Sequence, residues 1–159
     1  MSYRIAGLPR AAFAQYFGRT AEELGELGAR RVIASADRGF PCRVTLDDAR
    51  AGESLILLNY THHDVAGPYR SAYAIYVRED GEEAEPLVDS LPPVFAARDL
   101  SLRGFDAEGM LQAAVLAGPE EQDRAIRELF ADLRVACIHA HNAAYGCFAA
   151  RIERHGDER

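Results

Sequence analysis

Two histidines and a cysteine bring together the most reactive side-chain types of this sequence within one short stretch. The stretch is Ala136-Cys137-Ile138-His139-Ala140-His141-Asn142-Ala143-Ala144-Tyr145-Gly146-Cys147-Phe148, and it reads as two strands joined by a turn. Side chains alternate between the faces of a strand, so Cys137, His139 and His141 share one face. A turn of three or five residues pairs His141 with Cys147 and His139 with Ala149, and two imidazoles and a thiol then converge. A four-residue turn slips the register by one and sends Cys147 to the other face.

Three chemistries are open to that cluster. As a metal site, His139 and His141 supply two ligands, Cys147 a third and His62 a fourth. As a nucleophilic site, Cys147 is the thiolate and His139 or His141 its base, because a nearby imidazole activates a thiol. In the third, the histidines hydrogen-bond a ligand or one another and Cys147 is a small buried filler. No ligand pair has zinc-finger or H-E-x-x-H spacing, so neither a metal nor a cofactor is assigned. Arg43, Arg70 and Arg103 form a second constellation, each in or beside an apolar, strand-rich segment. The guanidinium fork matches a carboxylate or phosphate, against the competing reading of salt bridges with Asp and Glu. Cys42 is expected in the core, and His63 and His155 in solvent.

Composition narrows the classes. At 159 residues, 48% hydrophobic and 27% charged, the chain reads as one globular domain with a sizeable core. All 18 basic residues are arginine, which excludes a Schiff-base lysine and the lysine of a phosphate-binding loop. No G-x-G-x-x-G run is present. Three cysteines with no C-x-x-C are expected to be thiols in a reducing cytoplasm. Met1–Arg10 has no apolar signal region, and no run approaches the roughly 20 apolar residues of a membrane span. A cytoplasmic protein that binds no membrane is expected.

The elements that must hold the site follow from local pattern. Tyr3–Gly7 reads as a strand, and Pro9 as the first residue of a helix through Phe17. Thr20-Ala21-Glu22-Glu23 has capping-box spacing, with Gly28 placed to stop that helix. Strands are expected at Arg31–Ala34, Cys42–Leu46, Ser54–His62, Ala72–Arg78, Leu100–Phe105 and Met110–Leu116. The unbroken apolar run Leu55–Leu58 calls for burial on both faces. Glu79–Glu85 reads as a solvated turn, and Pro92-Pro93 as the start of a single helical turn to Arg98. Pro119 leads a helix over Glu120–Ala131 with Ile126, Leu129 and Phe130 as its apolar stripe. About eight strands, three helices and hairpin-like connections imply an α+β fold, a largely antiparallel sheet covered on one side by helices.

Phe40-Pro41-Cys42-Arg43, Leu57-Leu58-Asn59-Tyr60, Pro68-Tyr69-Arg70, Leu100-Ser101-Leu102-Arg103, Ile138-His139-Ala140-His141-Asn142 and Gly146-Cys147-Phe148-Ala149, in this order, resemble the bacterial domain of unknown function 1203 family. The resemblance spans nearly the whole chain and implies a single-domain bacterial protein. It brings no activity, cofactor or catalytic residue with it. It does draw attention to Arg43, His62, Arg70, Arg103, His139, His141, Asn142 and Cys147.

The function expected is binding, or an enzymatic reaction, of a small anionic metabolite. The pocket is lined by His62, His139, His141 and Asn142, with arginines at its mouth and His139, His141 and Cys147 as the catalytic candidates. The alternative is a non-catalytic accessory protein whose polar cluster fixes the fold through buried hydrogen bonds. A net charge of −7 and a pI near 5.2 argue against nucleic-acid binding. Polarisation assays at about 0.15 M salt should therefore detect no binding to duplex DNA; sub-micromolar, salt-sensitive binding would contradict this.

Overall fold

Short apolar runs punctuated by glycine, proline and acidic turns give nine strands among the described residues. The computed structural model describes residues 1–156. The strands are β1 (Ser2–Ala6), β2 (Arg30–Ile33), β3 (Ser54–His63), β4 (Ser71–Arg78), β5 (Leu87–Val88), β6 (Leu100–Phe105), β7 (Leu111–Ala117), β8 (Cys137–Asn142) and β9 (Phe148–His155). They form a six-stranded sheet, in the order β5-β1-β9-β8-β6-β7, and a three-stranded sheet, β2-β3-β4. Every ladder is antiparallel. The α+β class holds, with two sheets in place of the single one expected.

Helix α1 (Ala21–Glu26) starts on the capping box its spacing predicts. The Thr20 hydroxyl accepts the Glu23 backbone N–H, and the Glu23 carboxylate accepts the Thr20 N–H. Helix α2 (Gln122–Ala131) buries Ala125, Ile126, Leu129 and Phe130. That stripe packs with Leu100, Leu102, Ile138, Ala140 and Ile152 of the six-stranded sheet as one core. A second core joins Phe13 and Leu24 to Ile56, Leu58, Ile75 and Val77 of the smaller sheet, and the larger sheet contributes Phe148 to it.

Three local expectations are corrected. The segment after Pro9 is a 3-10 helix (Arg10–Tyr16) that lacks a side-chain cap and buries only Phe13, too little to hold an α-helix. Pro119 lies in a turn closed by Glu121 N–H to the Gly118 carbonyl, so α2 begins three residues later. Cys42–Leu46 is a buried turn, not a strand: the Leu46 N–H returns to the Cys42 carbonyl, and Leu46 takes a left-handed φ of 56°. The Arg43 carbonyl accepts from Leu8 N–H, and the turn lies so close to Gly7 that a Cβ there would meet the Val44 carbonyl oxygen at 2.2 Å. Only glycine allows that approach.

The β3 run is buried at Leu55, Ile56 and Leu58, while Leu57 lies on a cavity wall. Glu79, expected in solvent, binds the Arg31 guanidinium at 2.6 and 3.0 Å and also accepts from the Ser54 hydroxyl and Gly18 N–H. It thereby ties the edge of the smaller sheet to the segment leading into α1.

Two predictions follow from this packing. Leu58→Ala should cost about 2–5 kcal/mol in urea unfolding, through lost burial and the cavity left behind; a loss below roughly 1 kcal/mol would mean that β3 is not central. Glu79 has its pKa lowered to about 2, chiefly by the Arg31 hydrogen bonds. A depressed carboxylate contributes stability above its unfolded pKa and loses it as pH falls towards the folded value. Between pH 4.5 and 2 the stability of Glu79→Gln should therefore fall less steeply than that of the parent; parallel melting curves across that window would remove Glu79 as an anchor.

Candidate functional site

Two β-bulges assemble the histidines where the sheets meet. On β3 the ladder to β4 slips between Thr61 and His63, leaving His62 without a cross-strand partner. A bulge redirects side chains that strict alternation would send to opposite faces. Both His62 and His63 consequently reach His139, at ring-centroid distances of 6.1 and 5.0 Å. On β9 the register with β8 slips at Ala149, so that Ala140 faces Ala150 while His141 faces Phe148. Strand alternation places His139 and His141 on one face of β8, as the sequence predicts, and Arg103 on β6 lies directly across from His139.

The imidazoles sit in a mostly apolar shell. The His62 ring stacks on Phe148 at 5.4 Å with 7° between planes, and His139 packs on Phe105 at 5.0 Å. His139 and His141 are 0% and 1% exposed. Burial, first of all, lowers the three pKa values, to about 4 for His62, about 3 for His139 and about 4 for His141. Neighbouring imidazoles lower all three further; Arg103 does so at His62 and His141, and Arg151 at His139. All three rings are neutral at pH 7. Of the three, and among the described residues, only His141 has a ring partner, the Gly146 carbonyl 2.9 Å from Nδ1. A carbonyl only accepts, so Nδ1 carries the proton and Nε2 presents a lone pair. That Nε2, Nδ1 of His62 and both nitrogens of His139 are buried without a hydrogen-bond partner.

Cys147 does not join them. The Asn142 N–H donates to the Cys147 carbonyl and the Gly146 N–H to the Asn142 carbonyl, closing the four-residue turn 143–146, the alternative that slips the register by one and sets Cys147 opposite Asn142 instead of His141. The thiol accepts from Asn142 Nδ2 at 3.3 Å, and among the described residues no imidazole hydrogen-bonds it. It lines a cavity of about 810 Å³ together with Arg43, Asn142, Tyr73 and Tyr76. Asn142, Cys147 and Arg43 thus share one cavity wall, and His62, His139 and His141 are not part of it.

The remaining candidates separate as clearly. Arg43, expected at a pocket mouth, is 2% exposed. Its Nε donates to the Phe148 carbonyl at 2.7 Å and its Nη1 to the Pro41 carbonyl at 2.6 Å. Burial lowers its pKa, with Cys147 and Cys42 acting in the opposite sense. Arg103 is half-buried with Nε on the Ser101 hydroxyl, while Arg70 is exposed and pairs with Asp64 at 3.2 Å. His63, expected in solvent, is 5% exposed, packed on Phe105 at 4.1 Å with Nε2 on the Gly109 carbonyl. The aromatic cavity walls Phe40, Tyr73 and Tyr76 were missed, because alternation in one strand does not reveal which sheet faces it.

No helix among the described residues is long and apolar enough to cross a membrane. No curated protein and no solved structure matches the chain. Residues 39–154, which include Arg43, His62, His63, His139, His141 and both bulges, match the family described as Protein of unknown function (DUF1203), and the chain belongs to that family.

Proposed function

We propose that the chain binds a small organic anion in the cavity beside Arg43. One observation carries this reading. A guanidinium 2% exposed has two carbonyls and the Cys147 side chain as partners and, among the described residues, no carboxylate within salt-bridge distance. Arginine cannot shed its proton to escape the cost of burial, and buried charges are ordinarily paired. The other arginine on the wall, Arg98, is already neutralised by Asp48 at 2.7 Å. Asp99 also lines the cavity, but its side chain is exposed at the rim and solvated there.

The wall supports the rest of this reading. Phe40, Leu57, Tyr73 and Tyr76 are apolar or aromatic, and Asn142 keeps a buried Oδ1 with no donor. An anion with an apolar body and a hydroxyl or N–H donor satisfies all three features: its carboxylate meets Arg43, its body the aromatic wall, its donor Asn142. Cys147 lies within the same wall and is the residue that an enzymatic form of the function would use.

Thermal shift and calorimetry with a panel of hydroxylated and aromatic carboxylates test this. At least one should raise the parent's melting temperature, and Arg43→Gln, which retains hydrogen-bonding capacity, should lose that response while keeping the parent's circular dichroism. Arg70→Ala, remote from the cavity wall, should respond as the parent does. Equal stabilisation of parent and Arg43→Gln, or no response to any anion, overturns the proposal in favour of a structural role for Arg43.

A further inference from the structure

We infer that His62, His139 and His141 form a binding site for one divalent transition-metal ion, independent of the anion cavity. Each ring offers a nitrogen, and these atoms lie within 4.8 Å of one another. Nitrogens around a tetrahedral zinc at Zn–N of 2.0–2.1 Å stand about 3.4 Å apart. Seating an ion therefore draws the rings together by roughly 1 Å. His62, half-buried and set on the β3 bulge, is the one ring of the three that is not fully enclosed.

Hydrogen bonding leaves the same point open. Orphaned polar groups in a dry interior are costly, and each one in a native fold calls for a partner. Here one unpartnered nitrogen on each of three converging rings calls for the same partner. The rings do not satisfy one another, since none of these nitrogens has a hydrogen-bond partner among the described residues. A proton shared among them does not serve either, because burial and mutual repulsion disfavour imidazolium. An ion that accepts a lone pair from each neutral ring does.

The surroundings fit a metal centre. The Gly146 carbonyl holds His141 Nδ1–H and so directs Nε2 inward, the outer-shell arrangement that orients ligating histidines. His63, with Nε2 committed to the Gly109 carbonyl, closes the wall beside His139. Three neutral imidazoles without thiolate or carboxylate suit zinc, copper, iron or nickel, not magnesium or calcium. Three protein ligands also leave a coordination position for an exogenous group. Arg103, across from His139 and without a carboxylate partner among the described residues, favours an anion in that position.

The test uses the full chain. After dialysis against Zn²⁺ and removal of excess, elemental analysis should find about one zinc per chain. Co²⁺ should give the intense visible bands of a tetrahedral nitrogen-ligated site, without the thiolate charge transfer that Cys147 ligation would add. His62→Gln and His141→Gln should weaken Co²⁺ binding beyond the roughly 10–100-fold lost with an outer-shell partner. Cys147→Ser and Arg43→Gln should leave the metal in place, which separates this result from the outcome at the anion cavity. His139→Ala risks misfolding, so the half-exposed His62 position carries the test. A parent chain that retains neither zinc nor cobalt, or a His62→Gln variant that binds cobalt as tightly as the parent, overturns the inference.

Discussion

The Arg43 guanidinium is the fixed point between the two halves of the fold. It bridges Pro41, two residues away, and Phe148, 105 residues away in sequence. Holding those carbonyls obliges residues 41–46 to turn where their β-branched and apolar types favour a strand. The turn is buried, so its backbone groups need internal partners, and Leu8, Cys42 and Asp47 provide them. Phe148 transmits the constraint: its carbonyl accepts from Arg43, while its ring stacks on His62 and joins the core of the smaller sheet.

Polar rings at an interface between sheets are tolerated because they are neutral. Aromatic neighbours exclude water, and desolvation then disfavours the charged imidazole, as the lowered pKa values show. A regular ladder does not produce this cluster. Without the β3 bulge, His62 and His63 fall on opposite faces, and without the β9 slip, Ala149 stands where Phe148 shields His141. The irregularities are thus the means by which two flat surfaces enclose a polar site.

Much of the frame was legible in the sequence because local rules decide it. The Thr20–Glu23 capping box, the Ile126–Phe130 stripe and the alternation that pairs His139 with His141 depend on neighbours within four residues. What escaped depends on distant partners. His63 reads as solvated until Phe105 and the Gly109 carbonyl enclose it. Cys147 reads as a partner of His141 or as lying on the other face according to the turn length, and only the hydrogen bonds of the four-residue 143–146 turn set it opposite Asn142. A slip of one residue exchanges faces, and nothing in a single strand's pattern states the register of its neighbour. Arg43 and Arg70 have similar local surroundings, yet one is buried without a carboxylate and the other shares a solvated pair with Asp64.

The acidic balance of the chain conceals a basic interior. Its carboxylates lie largely on the surface, where salt screens them beyond about 8–10 Å. Around the two clusters the sequence places Arg43 and Arg103, three neutral imidazoles and, among the described residues, no carboxylate in contact with either guanidinium. Coulomb interactions grow as the local dielectric falls, so for a group beside it the enclosed Arg43 guanidinium weighs more than any one solvated carboxylate. The net charge of −7 thus describes the solvated outer surface, whereas the anion proposed for the cavity would meet the buried Arg43 guanidinium instead.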